Sequence, residues 1–83
     1  MNLKVMLKNM DLNNIAVIYG SDSSEWEVSV KSGEFTASQI DGARFNVYEV
    51  FARFGKWVVK AYRLKGQERV LIPEEERPEV CKT

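Results

Sequence analysis

The sequence predicts an α+β fold: an antiparallel sheet of about five strands in the order β-β-β-α-β-β, with one amphipathic helix packed on it. Three observations carry that expectation. Segments of alternating polarity recur before residue 33. A central stretch separates apolar from polar positions at helical spacing. A strand–turn–strand pattern follows it. The chain has 83 residues, enough for one domain. That domain is placed at residues 1–73, with 74–83 as an acidic C-terminal tail.

The elements are read in chain order. Residues 2–8 alternate, with Leu3, Val5 and Leu7 on one side and Lys4 and Lys8 on the other, as in a half-buried strand. Residues 15–19 are apolar throughout, which suits a central strand covered on both faces. Gly20-Ser-Asp-Ser-Ser24 is a loop. Residues 25–31 alternate again: Trp26, Val28 and Val30 are predicted inward, and Glu25, Glu27, Ser29 and Lys31 outward. From Ala37 onward, Ile40, Val47, Tyr48, Phe51 and Phe54 fall on one helical arc, so a helix is predicted over about 41–54. Thr36 and Gln39 suggest a capping box at its start, and Gly55 a left-handed C-terminal cap. Glu49 and Arg53 form an i,i+4 pair on its wet side. Gly42 and Arg44 fit this helix poorly.

Beyond Gly55 the residues favour strands. A two-residue Lys65-Gly66 turn pairs Tyr62 with Arg69 and Lys60 with Leu71. That register puts Trp57, Val59, Ala61, Val70 and Ile72 toward the core and Lys60, Tyr62 and Arg69 outward. Arg63 and Glu68 become a cross-strand ion pair. Pro73 ends the sheet. The acidic segment after it is expected to form one short helical turn or a mobile tail.

Composition excludes more chemistry than it suggests. Histidine is absent, and the one cysteine is Cys81. The commonest general base and metal ligand is therefore missing, and no internal disulfide can form. A cytoplasmic, cofactor-free and metal-free protein is expected, with no signal peptide and no membrane span. The Ser21–Ser24 cluster and Cys81 have no histidine to activate them, and Gly20–Ser24 lacks the lysine of a phosphate loop. No catalytic residue is assigned, and the chain is expected not to be an enzyme.

The net charge is zero but unevenly spread. Residues 11–43 hold six acids and one base; residues 44–69 hold seven bases and two acids. Two candidate partner-binding surfaces follow. One is basic: Arg53, Lys56, Lys60, Arg63, Lys65 and Arg69, with Tyr62 among them. Cations interleaved with an aromatic suit single-stranded nucleic acid, while a solvated charged face accounts for the same pattern. The other is acidic: Asp22, Glu25, Glu27 and Glu34, plus Glu74–Glu76, with Glu25 and Glu27 taken as outward carboxylates on a strand. Either could dock on a complementary partner, or simply keep the chain soluble.

In length and composition the chain is similar to the small inhibitors carried by phages and mobile elements, anti-CRISPR proteins among them; no motif adds to that likeness. It implies an inhibitor or regulator docking on a larger protein or nucleoprotein complex. The alternative is a single-stranded RNA- or DNA-binding module using the basic face of the 57–72 hairpin. Oligomeric state is left open.

Overall fold

The computed structural model describes residues 13–80. In chain order its elements are β1 (Asn14–Tyr19), α1 (Trp26–Ser38), β2 (Asn46–Arg53), β3 (Lys56–Arg63), β4 (Val70–Leu71) and a 3-10 turn, Glu74–Glu76. The class is α+β, with one helix and a four-stranded sheet in the order β1-β2-β3-β4. The sheet is mixed rather than antiparallel. β1 and β2 run parallel, and β2–β3 and β3–β4 run antiparallel. A parallel pair needs a crossover, and α1 supplies it. The expected strand at residues 2–8 lies outside the described residues.

Helix and strand are exchanged in the middle of the chain relative to expectation. Residues 26–38, half of which read as an alternating strand, form α1. Its inner face holds Gly33 and Ala37, both buried, while Val28 is 58% exposed and Phe35 67% exposed. Small residues let the helix axis approach the sheet closely. A Cβ at Gly33 would run into the Tyr19 ring. The Ser29 hydroxyl, expected outward, accepts from the Gly20 N–H at 3.0 Å and ties the end of β1 to the helix. Thr36 belongs to the last turn of α1, where its hydroxyl donates to the Ser32 carbonyl.

Residues 46–53 form β2 instead of a helix. Val47, Glu49 and Val50 are 1%, 3% and 4% exposed, so consecutive positions are buried on both sides of the strand. A strand covered on both faces reads as a continuous apolar run, and here that run imitates a helical period. Phe54 and Gly55 then make a two-residue hairpin loop between paired Arg53 and Lys56. Both have positive φ, 51° and 74°, the signature of a type I′ turn. Gly55 is thus left-handed as expected, but in a hairpin and not at a helix end.

The second hairpin has a shifted register. Ala61 pairs with Leu71 and Tyr62 with Val70, and an irregularity in the β2–β3 ladder falls where Glu49 and Val50 oppose Ala61 and Val59. Lys60 is the extra residue there. One residue of slip moves side chains to the other face. Tyr62 therefore stands with Trp57 and Val59 through its pairing with Tyr48, while Lys60 turns toward α1. Arg63 donates to the Ala37 and Ile40 carbonyls at the end of α1 and makes no pair with Glu68. Beyond the 3-10 turn, the Val59 N–H donates to Pro78 and the Val80 N–H to Trp57. Residues 78–80 thereby line the edge of β3.

Candidate functional site

The packing of α1 on the hairpin assembles an ionic cluster around the buried carboxylate of Glu49. Glu49 projects from β2 toward α1. It accepts the Tyr19 hydroxyl at 3.0 Å and a two-pronged contact from Arg69, Nε to Oε2 at 2.7 Å and Nη2 to Oε1 at 3.0 Å. Arg69 also reaches Glu34 on α1 at 3.2 Å, and Lys60 meets the same Glu34 oxygen at 2.9 Å. The Lys60 ammonium lies over the Tyr19 ring, 5.2 Å from its centre. Two acids and two bases cancel, and every buried side-chain polar atom among the described residues has a partner. Burial, the Glu49 charge and the Glu49 hydrogen bond together hold the Tyr19 phenol well above its ordinary value. The hydrogen bond to Glu49 raises Arg69 further. A matched cluster of this kind fixes the fold and offers no free charge to a partner.

The β2–β3 tip is built differently. Phe54 is 70% exposed although its backbone sits in the left-handed region. Its N–H donates to the Asp22 carboxylate, which anchors the tip to the loop after β1. Arg53 lies between two rings, 4.6 Å from the centres of both Trp26 and Phe54, and donates from Nε to the Ser21 carbonyl at 3.1 Å. Trp26 in turn meets Phe51 edge-on at 6.0 Å. The stack Trp26–Arg53–Phe54 therefore ends in an aromatic ring that projects into solvent. Beside it opens a cavity of about 200 Å³ lined by Phe51, Arg53, Lys56, Val58, Glu74 and Arg77.

The expected site residues divide between these regions. Lys60 and Arg69 belong to the ionic cluster. Tyr62 is half-buried on the opposite sheet face, so the three do not form one outward surface. Lys65 is exposed in the 64–69 loop, where its backbone N–H donates to Asn46. Arg53 and Lys56 flank the tip. Glu25 and Glu27 are exposed, but at the start of α1 and not on a strand. A carboxylate there favours the helix dipole, and residues two apart on a helix do not face one way. Phe54 and Arg77 are not among the surface residues expected from sequence, whereas Asp22 is, in the acidic set. The Phe-Gly dipeptide between two β-rich runs was the signal available for the first.

No cluster of three or more carboxylate, cysteine or histidine side chains suited to a metal occurs among the described residues. None of their helices is long and apolar enough to cross a membrane. No family model, curated protein or solved structure matches the chain.

Proposed function

We propose that this chain is a non-catalytic interaction module, an inhibitor or regulator that docks on a larger macromolecular partner through its β2–β3 tip. The observation that carries the reading is Phe54. A bulky side chain at positive φ costs roughly 1–2 kcal/mol relative to its usual backbone. Burial would normally offset that cost, but this ring is 70% exposed. Backbone strain met in the free fold only by the Arg53 stack points to a use outside it. Aromatic anchors flanked by arginine are also the residues that dominate protein interfaces. The tip is held by Asp22 and by the Arg53 stack, so little is left to order on docking.

The nucleic-acid alternative drew on Lys60, Tyr62 and Arg69. Two of these are neutralised by Glu34 and Glu49, and the third lies on the other sheet face. That divides these three residues, while Arg53, Lys56 and Lys65 stay outside the ionic cluster, so the alternative has less support than the tip.

The reading is tested by affinity capture with the full chain, with and without nuclease, comparing Phe54→Asn with Phe35→Ser. Both rings are exposed, but Phe35 lies on the outer side of α1 away from the tip. The expected result is a nuclease-resistant partner, lost with Phe54→Asn and kept with Phe35→Ser. Capture indifferent to Phe54, or abolished by nuclease, sinks the proposal.

A further inference from the structure

The cavity beside Phe54 has an unbalanced charge. Three cations line it, Arg53, Lys56 and Arg77, against one carboxylate, Glu74. None of the three is firmly spent. Lys56 lies 3.9 Å from Glu79 with both side chains about two-thirds exposed, a contact of little worth. Arg77 uses Nε on the Ile72 carbonyl at 2.8 Å and has no acidic partner among the described ion pairs. Arg53 is held by a carbonyl and two rings, again with no acid. The remaining walls, Phe51 and Val58, are apolar. A separate neighbouring cavity of about 240 Å³ shares Phe51, Glu74 and Arg77 and is lined further by Trp26, Val30 and Lys60.

Size and charge together define what fits. A volume of about 200 Å³ is below the usual range for a small-molecule site and suits one side chain. Guanidinium groups without an acid and an ammonium with only a weak one, on an apolar floor, select an anion with methylenes behind it. We infer that the cavity receives the carboxylate of an acidic peptide segment on the partner, beside the Phe54 anchor. This rests on the tip reading and adds the chemistry of the partner. A nucleic-acid backbone fits less well. Asp22 holds the tip and Glu79 stands at Lys56, so a continuous polyanion meets these two carboxylates besides Glu74, where a single carboxylate in the cavity meets three cations against Glu74 alone.

The test is an amide chemical-shift titration of the full chain with acetyl-Leu-Glu-Leu-amide, with its Gln counterpart and with a short oligothymidylate. The expected result is saturable shifts at Val58 and Arg77 with the Glu peptide. Affinity should fall about tenfold for the Gln peptide, the worth of one charge-assisted hydrogen bond. Lys56→Gln should weaken the Glu peptide to a similar degree, and its exposed side chain leaves the fold intact. Arg77→Gln should do the same, with the unshifted amides reporting that the chain is still folded. Equal affinity for the two peptides, no saturable shift, or tighter oligothymidylate binding at the same amides overturns the site. Equal shifts from both peptides at Phe54 and Gly55 overturn the anion site and leave the tip as an anchor. Charge-dependent shifts at Arg77, with partner capture indifferent to Phe54, overturn the anchor and leave the anion site standing.

Discussion

The Glu49 cluster and the Phe54 tip lie on the same pair of strands, a few residues apart, and both combine arginine, carboxylate and aromatic groups. In the cluster each charge has a partner of opposite sign, and Glu49 is 3% exposed. At the tip the carboxylate of Asp22 is occupied by a backbone N–H, the guanidinium of Arg53 by two rings and a carbonyl, and the outermost ring, Phe54, meets Arg53 on one side and is otherwise 70% exposed. A basic stretch in the sequence therefore says little about where charge is available. What distinguishes a docking surface from a structural one is whether its polar groups are already matched and whether its apolar groups are already covered.

The largest effect that can break this comparison is expected at Glu49. Glu49→Ala removes the acceptor of both Tyr19 and Arg69 from a buried position. Removing one partner of a buried pair costs about 3 kcal/mol, the lower end being appropriate because the Arg69 side chain is 40% exposed and can rehydrate. In a chain of this size that lowers the melting temperature by on the order of 15 °C. Lys56→Ala, on the weak pair at the tip, should change stability by no more than about 0.5 kcal/mol. Urea melts of both variants check the contrast. A Glu49→Ala cost as small as that of Lys56→Ala would mean that the cluster does not hold the fold.

A smaller effect sharpens the same contrast through pH. Burial and then Glu49 raise the folded pKa of Tyr19 above its ordinary value of 10.0. The folded chain therefore holds this proton more tightly than the unfolded chain. The stability so gained is fully present below about pH 10 and is lost as pH rises past it toward the folded value. Tyr19→Phe should cost about 1 kcal/mol at neutral pH for the lost hydrogen bond. It should also flatten the alkaline decline seen in urea melts above about pH 10. Parallel declines in the two proteins would place the titrating group elsewhere.

The comparison also explains which parts of the fold were legible in the sequence. β1, the loop at residues 20–24 and β3 follow from local pattern and turn chemistry, and all three are present. α1 was hidden because Val28 faces solvent and small Gly33 and Ala37 face the sheet, so hydrophobicity does not mark its inner side. β2 was hidden because it is buried on both faces and carries an acid inside. Glu49 looks solvated until Tyr19 and Arg69, distant in sequence, are brought to it. The sheet register was lost to the irregularity at Lys60, which no local rule announces. Arg53 and Lys56 were legible as candidates from charge alone. The chemistry that sets them apart from Lys60 and Arg69 exists only once the chain is folded.

The smallest expected effect has the opposite sign and concerns Phe54. Asn is the favoured residue before Gly in a type I′ turn, because its short polar side chain tolerates positive φ. Phe54→Asn therefore relieves roughly 1–2 kcal/mol of backbone cost. It also removes the outer half of the Arg53 stack, worth about 0.5–1 kcal/mol at an exposed site. Arg53 keeps Trp26 and the Ser21 carbonyl, and the backbone N–H of residue 54 keeps Asp22. The balance is a net stabilisation of about 0.5 kcal/mol, readable as a small rise in the urea midpoint with an unchanged slope. A substitution that strengthens the free fold while removing partner capture separates binding from folding at a single side chain. If Phe54→Asn instead costs as much as a buried aromatic, about 3 kcal/mol, the ring is part of the core and the tip has no claim to be an anchor.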